Sequence, residues 1–84
     1  MIVNLIANVN GLPNVKGSNK QALVTKLQDA LAALAINDTA TACHRMQDFI
    51  NLVKAQTDKK LLSIANAASL TADAVSIRAV IGCH

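Results

Sequence analysis

Apolar residues recur at spacings of three and four along almost the whole chain, and this periodicity constrains the fold more than any other feature of the sequence. Residues three and four apart share one face of an α-helix, whereas a half-buried β-strand alternates apolar and polar residues. The sequence has no alternating segment, and no unit repeats with the period of about 20–50 residues that is typical of solenoid proteins. The sequence therefore predicts an all-α protein.

The apolar stripes define four helices of unequal length. Ile2, Leu5 and Val9 share one face of a short helix, and three longer stripes follow it. Because short connections join the longer helices, we expect these helices to pack antiparallel to one another. The predicted architecture is an up-down-up three-helix bundle, about 18–36, 38–58 and 63–81, with the short N-terminal helix, about 2–9, laid across it.

Residues with known preferences for helix ends support these boundaries. Pro13 lacks a backbone N–H and falls in the connector after the first helix. Ser18 and Gln21 have the spacing of a capping box, in which the serine oxygen accepts a hydrogen bond from an early backbone N–H. Asp38 and Ser63 are predicted N-caps of the last two helices. Residues that tolerate a left-handed backbone are expected at the ends of the second and fourth helices, namely Asn37 and Gly82.

The core of such a bundle has to be aliphatic. Hydrophobic residues make up 52% of the chain, but Phe49 is the sole aromatic residue. Fifteen alanines allow the helices to approach one another closely. The predicted core consists of residues on the inward stripes, namely Leu27, Leu31, Phe49, Ile50, Val53, Leu70, Ala74 and Ile77.

A chain of 84 residues is long enough for one hydrophobic core and too short for two. We therefore interpret residues 1–84 as one helical domain, with the N-terminal helix and connector at 1–17 and the bundle core at 18–83. The first residues are apolar, but no basic segment precedes them, so they do not resemble a signal peptide. If the domain is exported, we expect this chain to be a fragment of a larger protein.

Charge and hydropathy argue against two classes of partner. The formal net charge is +3, but the eight basic residues are spread between Lys16 and Arg78, and only Lys59-Lys60 are adjacent. Nucleic-acid binding requires basic residues clustered on one face. The longest uninterrupted apolar run, residues 30–36, is far shorter than the ~20 residues that cross a bilayer. We therefore predict neither nucleic-acid binding nor a membrane span.

The two cysteines are positioned to form a disulfide. Cys43 lies on the inward stripe near the start of the third helix, and Cys83 directly follows Gly82 at the end of the fourth. If these helices are adjacent and antiparallel, the two cysteines lie at the same end of the bundle. A bond there would remove loop-closure entropy from the unfolded chain, worth roughly 4 kcal/mol. The pairing predicts an oxidising environment.

Two alternatives for the cysteines remain open. In the first, both are reduced, one buried and one exposed. In the second, Cys43, His44, Cys83 and His84 bind Zn²⁺, because two thiolates and two imidazoles are a ligand set of structural zinc sites. Neighbouring residues on a helix point about 100° apart, however, so Cys43 and His44 would not both bind one ion without unwinding the turn.

The sequence carries no motif of a known catalytic chemistry. The five aspartates occur singly, and no Gly-rich phosphate loop or Ser-His-Asp arrangement is found. The segment that ends in Cys43-His44 resembles a haem-attachment sequence but lacks its first cysteine. We therefore predict no enzyme activity, no catalytic residues, no metal and no cofactor.

Segments from the second helix to the end of the chain resemble a known family. They are Ser18 to Leu34, Asn37-Asp38-Thr39, Cys43, Phe49-Ile50-Asn51-Leu52-Val53, Lys59-Lys60-Leu61-Leu62-Ser63 and Ile77-Arg78-Ala79-Val80-Ile81-Gly82-Cys83. In its pattern of residue types, the chain resembles the FIMAH-type helical module over about residues 18–83. Modules of this kind usually lie at the C-terminal end of large secreted or surface proteins of bacteria and archaea. The resemblance implies an extracellular, non-catalytic accessory domain, without catalytic residues to carry over.

Three functions are compatible with these observations. The leading prediction is a non-catalytic extracellular or cell-surface module that caps or spaces a larger protein and presents a helix face to a protein or a surface polymer. The alternative is a small zinc-binding domain that uses the cysteines and histidines. A third function is self-association, in which residues 2–9 dock onto a neighbouring copy of the chain.

Overall fold

Four α-helices make up the described part of the chain, which is residues 2–83 of a computed structural model. They are α1 (Ile2–Asn10), α2 (Gly17–Ala35), α3 (Thr39–Asp58) and α4 (Ile64–Ile81). Every predicted boundary lies within one residue of the observed one. The prediction of an all-α protein is confirmed for residues 2–83, among which no strand occurs.

The four helices form a ring, which adds a detail to the predicted architecture. α2 packs against α3, α3 packs against α4, and α1 packs against both α2 and α4. Within the described residues, the backbones of α2 and α4 do not approach each other. The two antiparallel hairpins α2–α3 and α3–α4 leave that side open, and α1 occupies it. α1 is therefore one side of the ring, and the four helices agree in outline with the predicted bundle and its short N-terminal helix.

The apolar face of α1 is buried in its own chain. Ile2, Leu5 and Val9 expose 3%, 1% and 0% of their surface, and all three belong to the common core. Docking of residues 2–9 onto a neighbouring copy would require α1 to leave this core. The structure therefore gives no support to self-association through this helix.

Six of the eight predicted core residues are buried. These are Leu27, Phe49, Val53, Leu70, Ala74 and Ile77. Leu31 and Ile50 differ from the prediction, because both are only partly buried and pack against the core from its edge. On α2 the inward face passes from Leu27 to Ala30, so that Leu31 lies beside it. Ile50 lines a surface groove between α3 and α4.

The ends of the last three helices show which capping predictions were right. The Oδ1 of Asp38 accepts a hydrogen bond from the Thr41 N–H at 3.1 Å, and Ser63 Oγ accepts one from the Asn66 N–H at 3.1 Å. Asn37 and Gly82 have left-handed backbones with φ of 59° and 96°. These predictions are confirmed.

The predicted capping box at the start of α2 is wrong. The helix begins at Gly17, and its N-cap residue is Lys16, whose side chain makes no capping hydrogen bond. The Lys16 carbonyl accepts hydrogen bonds from the N–H groups of both Asn19 and Lys20, at 3.0 Å each. Because the backbone ladder begins at Lys16, Ser18 lies inside the first turn, where its side chain is exposed.

α4 is apolar around most of its circumference. By length and composition it is the one helix of residues 2–83 that could span a membrane, with a mean hydropathy of 1.3 over 18 residues, of which 22% are buried. A single such helix is weak evidence, because core helices of soluble proteins pass the same test. The prediction that the chain does not cross a membrane stays a prediction.

The bundle has two ends that differ in construction. The α1–α2 connector, residues 11–16, and the α3–α4 loop, residues 59–63, meet at one end, which we call the connector end. A hydrogen bond of 3.3 Å from Gln56 Nε2 to the Asn19 carbonyl fixes the end of α3 against the start of α2 there. The α2–α3 turn, residues 36–38, lies at the opposite end.

Residues 2 and 83, the first and last described residues, both lie in the half of the bundle that is remote from the connector end. α4 ends at Ile81, beside the start of α3. α1 lies along the C-terminal half of α4, where Asn4 and Asn8 line one groove together with Asp73 and Val80. Both termini of the described segment are thus close to α4's C-terminal half, and the connector end points away from them.

Candidate functional site

A disulfide joins Cys43 of α3 to Cys83, which follows α4. The Cα atoms are 5.7 Å apart, and the two residues are separated by 40 positions in the sequence. Both cysteines are partly buried. We call this part of the bundle the disulfide end. The bond fixes the last described residue to the start of α3.

The disulfide removes the ligands that the zinc alternative needs. A zinc site of the predicted type uses cysteine thiolates, and neither sulfur is a thiolate in a disulfide. His44 is exposed, and His84 lies outside the described residues. Among residues 2–83, no group of three histidine, cysteine or acidic side chains is placed to hold a metal ion.

The helix caps at the disulfide end position the bonded cysteines. Thr41 donates twice to Asp38, from its hydroxyl to Oδ2 at 2.7 Å and from its N–H to Oδ1 at 3.1 Å. The hydroxyl hydrogen bond, and secondly the backbone one, lower the pKa of the Asp38 carboxyl below its ordinary value. At the end of α4, the Cys83 N–H donates to the Arg78 carbonyl at 2.8 Å, which closes the helix around the left-handed Gly82.

Polar side-chain contacts of α3 and α4 also lie in this half of the bundle. Arg78 Nη1 donates to Gln47 Oε1 at 2.6 Å, and Gln47 Nε2 donates to Asn51 Oδ1 at 3.0 Å. Arg45 forms an ion pair with Asp48 at 3.0 Å, but both side chains are about two-fifths exposed, so this pair contributes little to stability. Of these three contacts, the Arg78–Gln47 hydrogen bond joins the two helices, and the other two lie within α3.

The connector end contains a cleft with a volume of about 800 Å³. Residues of both connectors line it. Its apolar wall includes Leu61 and Ile64, which are 37% and 81% exposed. Amide side chains of Asn14 and Asn66 are also part of the lining, as is the Lys60 side chain. A cleft with apolar and hydrogen-bonding walls is suited to binding.

Folding collects basic residues at this same end. The structure places five of the eight within about one helical turn of the two connectors, namely Lys16, Lys20, Lys54, Lys59 and Lys60. Of the five aspartates, only Asp58 lies there. Five cations against one anion leave a formal charge of +4 at the connector end, and the other three cations and four anions leave −1. The sum is the net +3 of the chain.

This concentration of charge was not predicted from the sequence. The basic residues are spread along the chain in sequence, but five of them gather at one end in space. The sequence did contain the information, because Lys16 and Lys20 flank the start of α2 while Lys59 and Lys60 follow the end of α3. An antiparallel α2–α3 hairpin brings those two segments together, and the hydrogen bond between Gln56 and Asn19 shows that it does.

Comparison with known proteins identifies one family. The family model described as the FIMAH domain matches residues 4–79. The match begins inside α1, so it extends further towards the N-terminus than the expected 18–83. No curated protein and no solved structure matches the chain.

Proposed function

The chain belongs to the FIMAH domain family, and from this premise we propose that it is a non-catalytic accessory module of a larger secreted or cell-surface protein. FIMAH is a family of small structural domains. The module caps or spaces its parent protein and presents the connector end to a protein or surface-polymer partner. The observation that carries the extracellular part of the proposal is the Cys43–Cys83 disulfide.

The disulfide supports an extracellular setting because disulfides persist in oxidising compartments and are rare in reducing ones. Small domains gain most from such bonds, since their hydrophobic cores are limited in size. Here the core is aliphatic apart from Phe49, and the bond closes a segment that includes all of α4 and most of α3. Family and disulfide thus support the same location.

The placement of the connector end supports a role in binding a partner. Residues 2 and 83 both lie in the half of the bundle that contains the disulfide, so the connector end faces away from them. Any polypeptide joined to these residues would therefore leave the cleft accessible. Loops remote from the attachment point are a common location for binding residues.

The location is tested on the natural protein in its source cells. Intact cells are treated with a membrane-impermeant biotinylation reagent, and the labelled protein is digested without reduction and mapped by mass spectrometry. We expect biotin on exposed lysines and a cystine peptide that contains both Cys43 and Cys83. A protein that is shielded from the reagent, or whose cysteines are recovered as free thiols after alkylation at the moment of lysis, would contradict the proposal.

A further inference from the structure

We propose that the connector end binds an anionic glycopolymer, meaning a linear polymer of sugar-like units that carries repeated carboxylate or phosphate groups. This inference deepens the proposed function, because it names the chemical class of the surface partner. It rests on three features that the fold brings together: a cleft, a concentration of lysines and the backbone at Lys60.

The cleft matches one or a few units of such a polymer. Its volume of about 800 Å³ is within the range of small-molecule binding sites. The exposed apolar surfaces of Leu61 and Ile64 suit the C–H faces of a sugar ring. The Asn14 and Asn66 amides provide donors and acceptors for hydroxyl groups.

The charge around the cleft favours a polyanion over a small neutral ligand. The connector end carries +4 in a chain whose remaining residues carry −1. Lys16, Lys54, Lys59 and Lys60 are exposed, and Lys20 is partly buried, with Nζ donating to the Asn10 carbonyl at 3.0 Å. Lys60 lines the cleft, and the other four lysines lie outside it on segments at the same end of the bundle. Their charge therefore suits a repeated anion that extends beyond the cleft.

Lys60 has a left-handed backbone conformation, which normally favours glycine. Its φ is 61°, and its N–H donates to the Thr57 carbonyl at 2.9 Å while the Leu61 N–H donates to the Gln56 carbonyl at 2.8 Å. This arrangement terminates α3, and glycine is the residue best suited to it. A lysine here carries a conformational cost and places a cation in the cleft lining.

Nucleic acid is the less favourable polyanion for this surface. Proteins that bind single strands usually stack bases on exposed aromatic rings. The sole aromatic residue, Phe49, is 0% exposed. The observations therefore favour a glycopolymer, and nucleic acid becomes an outcome of the test.

The test measures binding of the disulfide-bonded protein to defined polymers by isothermal titration calorimetry. The probes are polygalacturonate for carboxylate, purified teichoic acid for phosphate, neutral dextran and a random single-stranded DNA of 20 nucleotides. We expect binding to one or both anionic glycopolymers, which weakens steeply between about 50 and 200 mM salt because bound counterions are released. Binding to polygalacturonate identifies carboxylate as the recognised group, and binding to teichoic acid identifies phosphate.

Substitutions then locate the binding surface. Lys60→Gly should reduce the affinity by about fivefold, the effect of one basic residue near an anionic surface, while the melting temperature stays equal or rises because glycine suits the left-handed backbone. Lys26→Gln removes the same charge from the middle of α2 and is the matched control, with an expected change of less than about twofold.

Three results would overturn the proposal. The first is the absence of binding to both anionic glycopolymers at 50 mM salt and about 1 mM protein, a concentration that detects even weak complexes. The second is an equal loss of affinity in Lys60→Gly and Lys26→Gln. The third is binding to DNA or neutral dextran that is as tight as binding to the anionic glycopolymers. None of these bears on the extracellular location, which the cystine map tests separately.

Discussion

Arg78 of α4 donates a hydrogen bond to Gln47 of α3 at 2.6 Å, and this contact joins residues 31 positions apart in sequence. The Arg78 Nε is buried and has no hydrogen-bond partner among the described residues. Gln47 Oε1 is thus the side-chain acceptor for the partly buried guanidinium of Arg78. The hydrogen bond lies within two turns of the disulfide on both helices.

Removal of this acceptor should destabilise the fold. We expect Gln47→Ala to lower the free energy of unfolding by about 1–2 kcal/mol, because it leaves a partly buried guanidinium without its partner. Urea denaturation followed by circular dichroism measures the change. Gln47→Glu keeps an acceptor and is the control, with stability equal to or above that of the parent. A loss below about 0.5 kcal/mol in Gln47→Ala would mean that water replaces the side chain at no cost.

The disulfide should be structural and not redox-active. The double substitution Cys43→Ser and Cys83→Ser should keep its helical circular dichroism, yet the loss of a cross-link between residues 40 positions apart should cost about 4 kcal/mol. For a domain of this size, that corresponds to a melting temperature lower by about 15–30 °C. No Cys-x-x-Cys motif, which lowers a thiol pKa, is present.

Reductant provides the control for the disulfide. It should lower the melting temperature of the parent protein and leave the double variant unchanged. The prediction fails if the parent and the double variant melt at the same temperature. It also fails if an Ellman-type reagent titrates two thiols in the native parent.

Phe49 should contribute more to stability than other core residues do. It is the largest fully buried side chain and 0% exposed, so Phe49→Ala should cost about 3–5 kcal/mol. Aliphatic neighbours cannot fill the space left by a ring. Val75→Ala is the control, since Val75 is 53% exposed and its truncation should change stability by about 0.5 kcal/mol or less. A cost below about 1 kcal/mol for Phe49→Ala would show that the core rearranges around the vacancy.

The pH dependence of stability should include a contribution from Asp38. Its pKa in the folded state lies below the ordinary value of 3.8, because Thr41 donates to the ionised carboxylate. The resulting stabilisation is complete above the unfolded-state pKa and is lost as the pH falls through the folded-state pKa. NMR titration of the Asp38 carboxyl should give a midpoint below 3.8 in the parent and a higher one in Thr41→Val. A midpoint at or above 3.8 in the parent would contradict the hydrogen bonds seen here.

Local features of the fold could be predicted from the sequence because each depends on few neighbouring residues. The caps at Asp38 and Ser63 and the left-handed Gly82 depend on side-chain oxygen atoms and on backbone freedom within one turn. The failure at Ser18 has the same origin. A serine followed three residues later by glutamine is compatible with a cap, but the Lys16 carbonyl begins the hydrogen-bond ladder two residues earlier.

Properties that depend on three-dimensional proximity were harder to predict. The ring of four helices follows from the packing of α1 between α2 and α4, which the periodicity of α1 alone does not specify. The candidate site was missed for a related reason. Lys16 and Lys60 are 44 positions apart, and their common location becomes visible only when both connectors are placed at the same end.

The position of the disulfide has a mechanical consequence for a domain joined to other polypeptide. Tension applied along the chain passes from residue 2 to Cys43, crosses the sulfur bridge to Cys83 and leaves the domain there. The 40-residue step between the cysteines carries no load, which withholds about 140 Å of contour length from extension at ~3.5 Å per residue. α4, most of α3 and the whole α3–α4 loop are therefore shielded from pulling. Forces that peel α1 and α2 away therefore cannot extend the segment that forms the other side of the connector-end cleft.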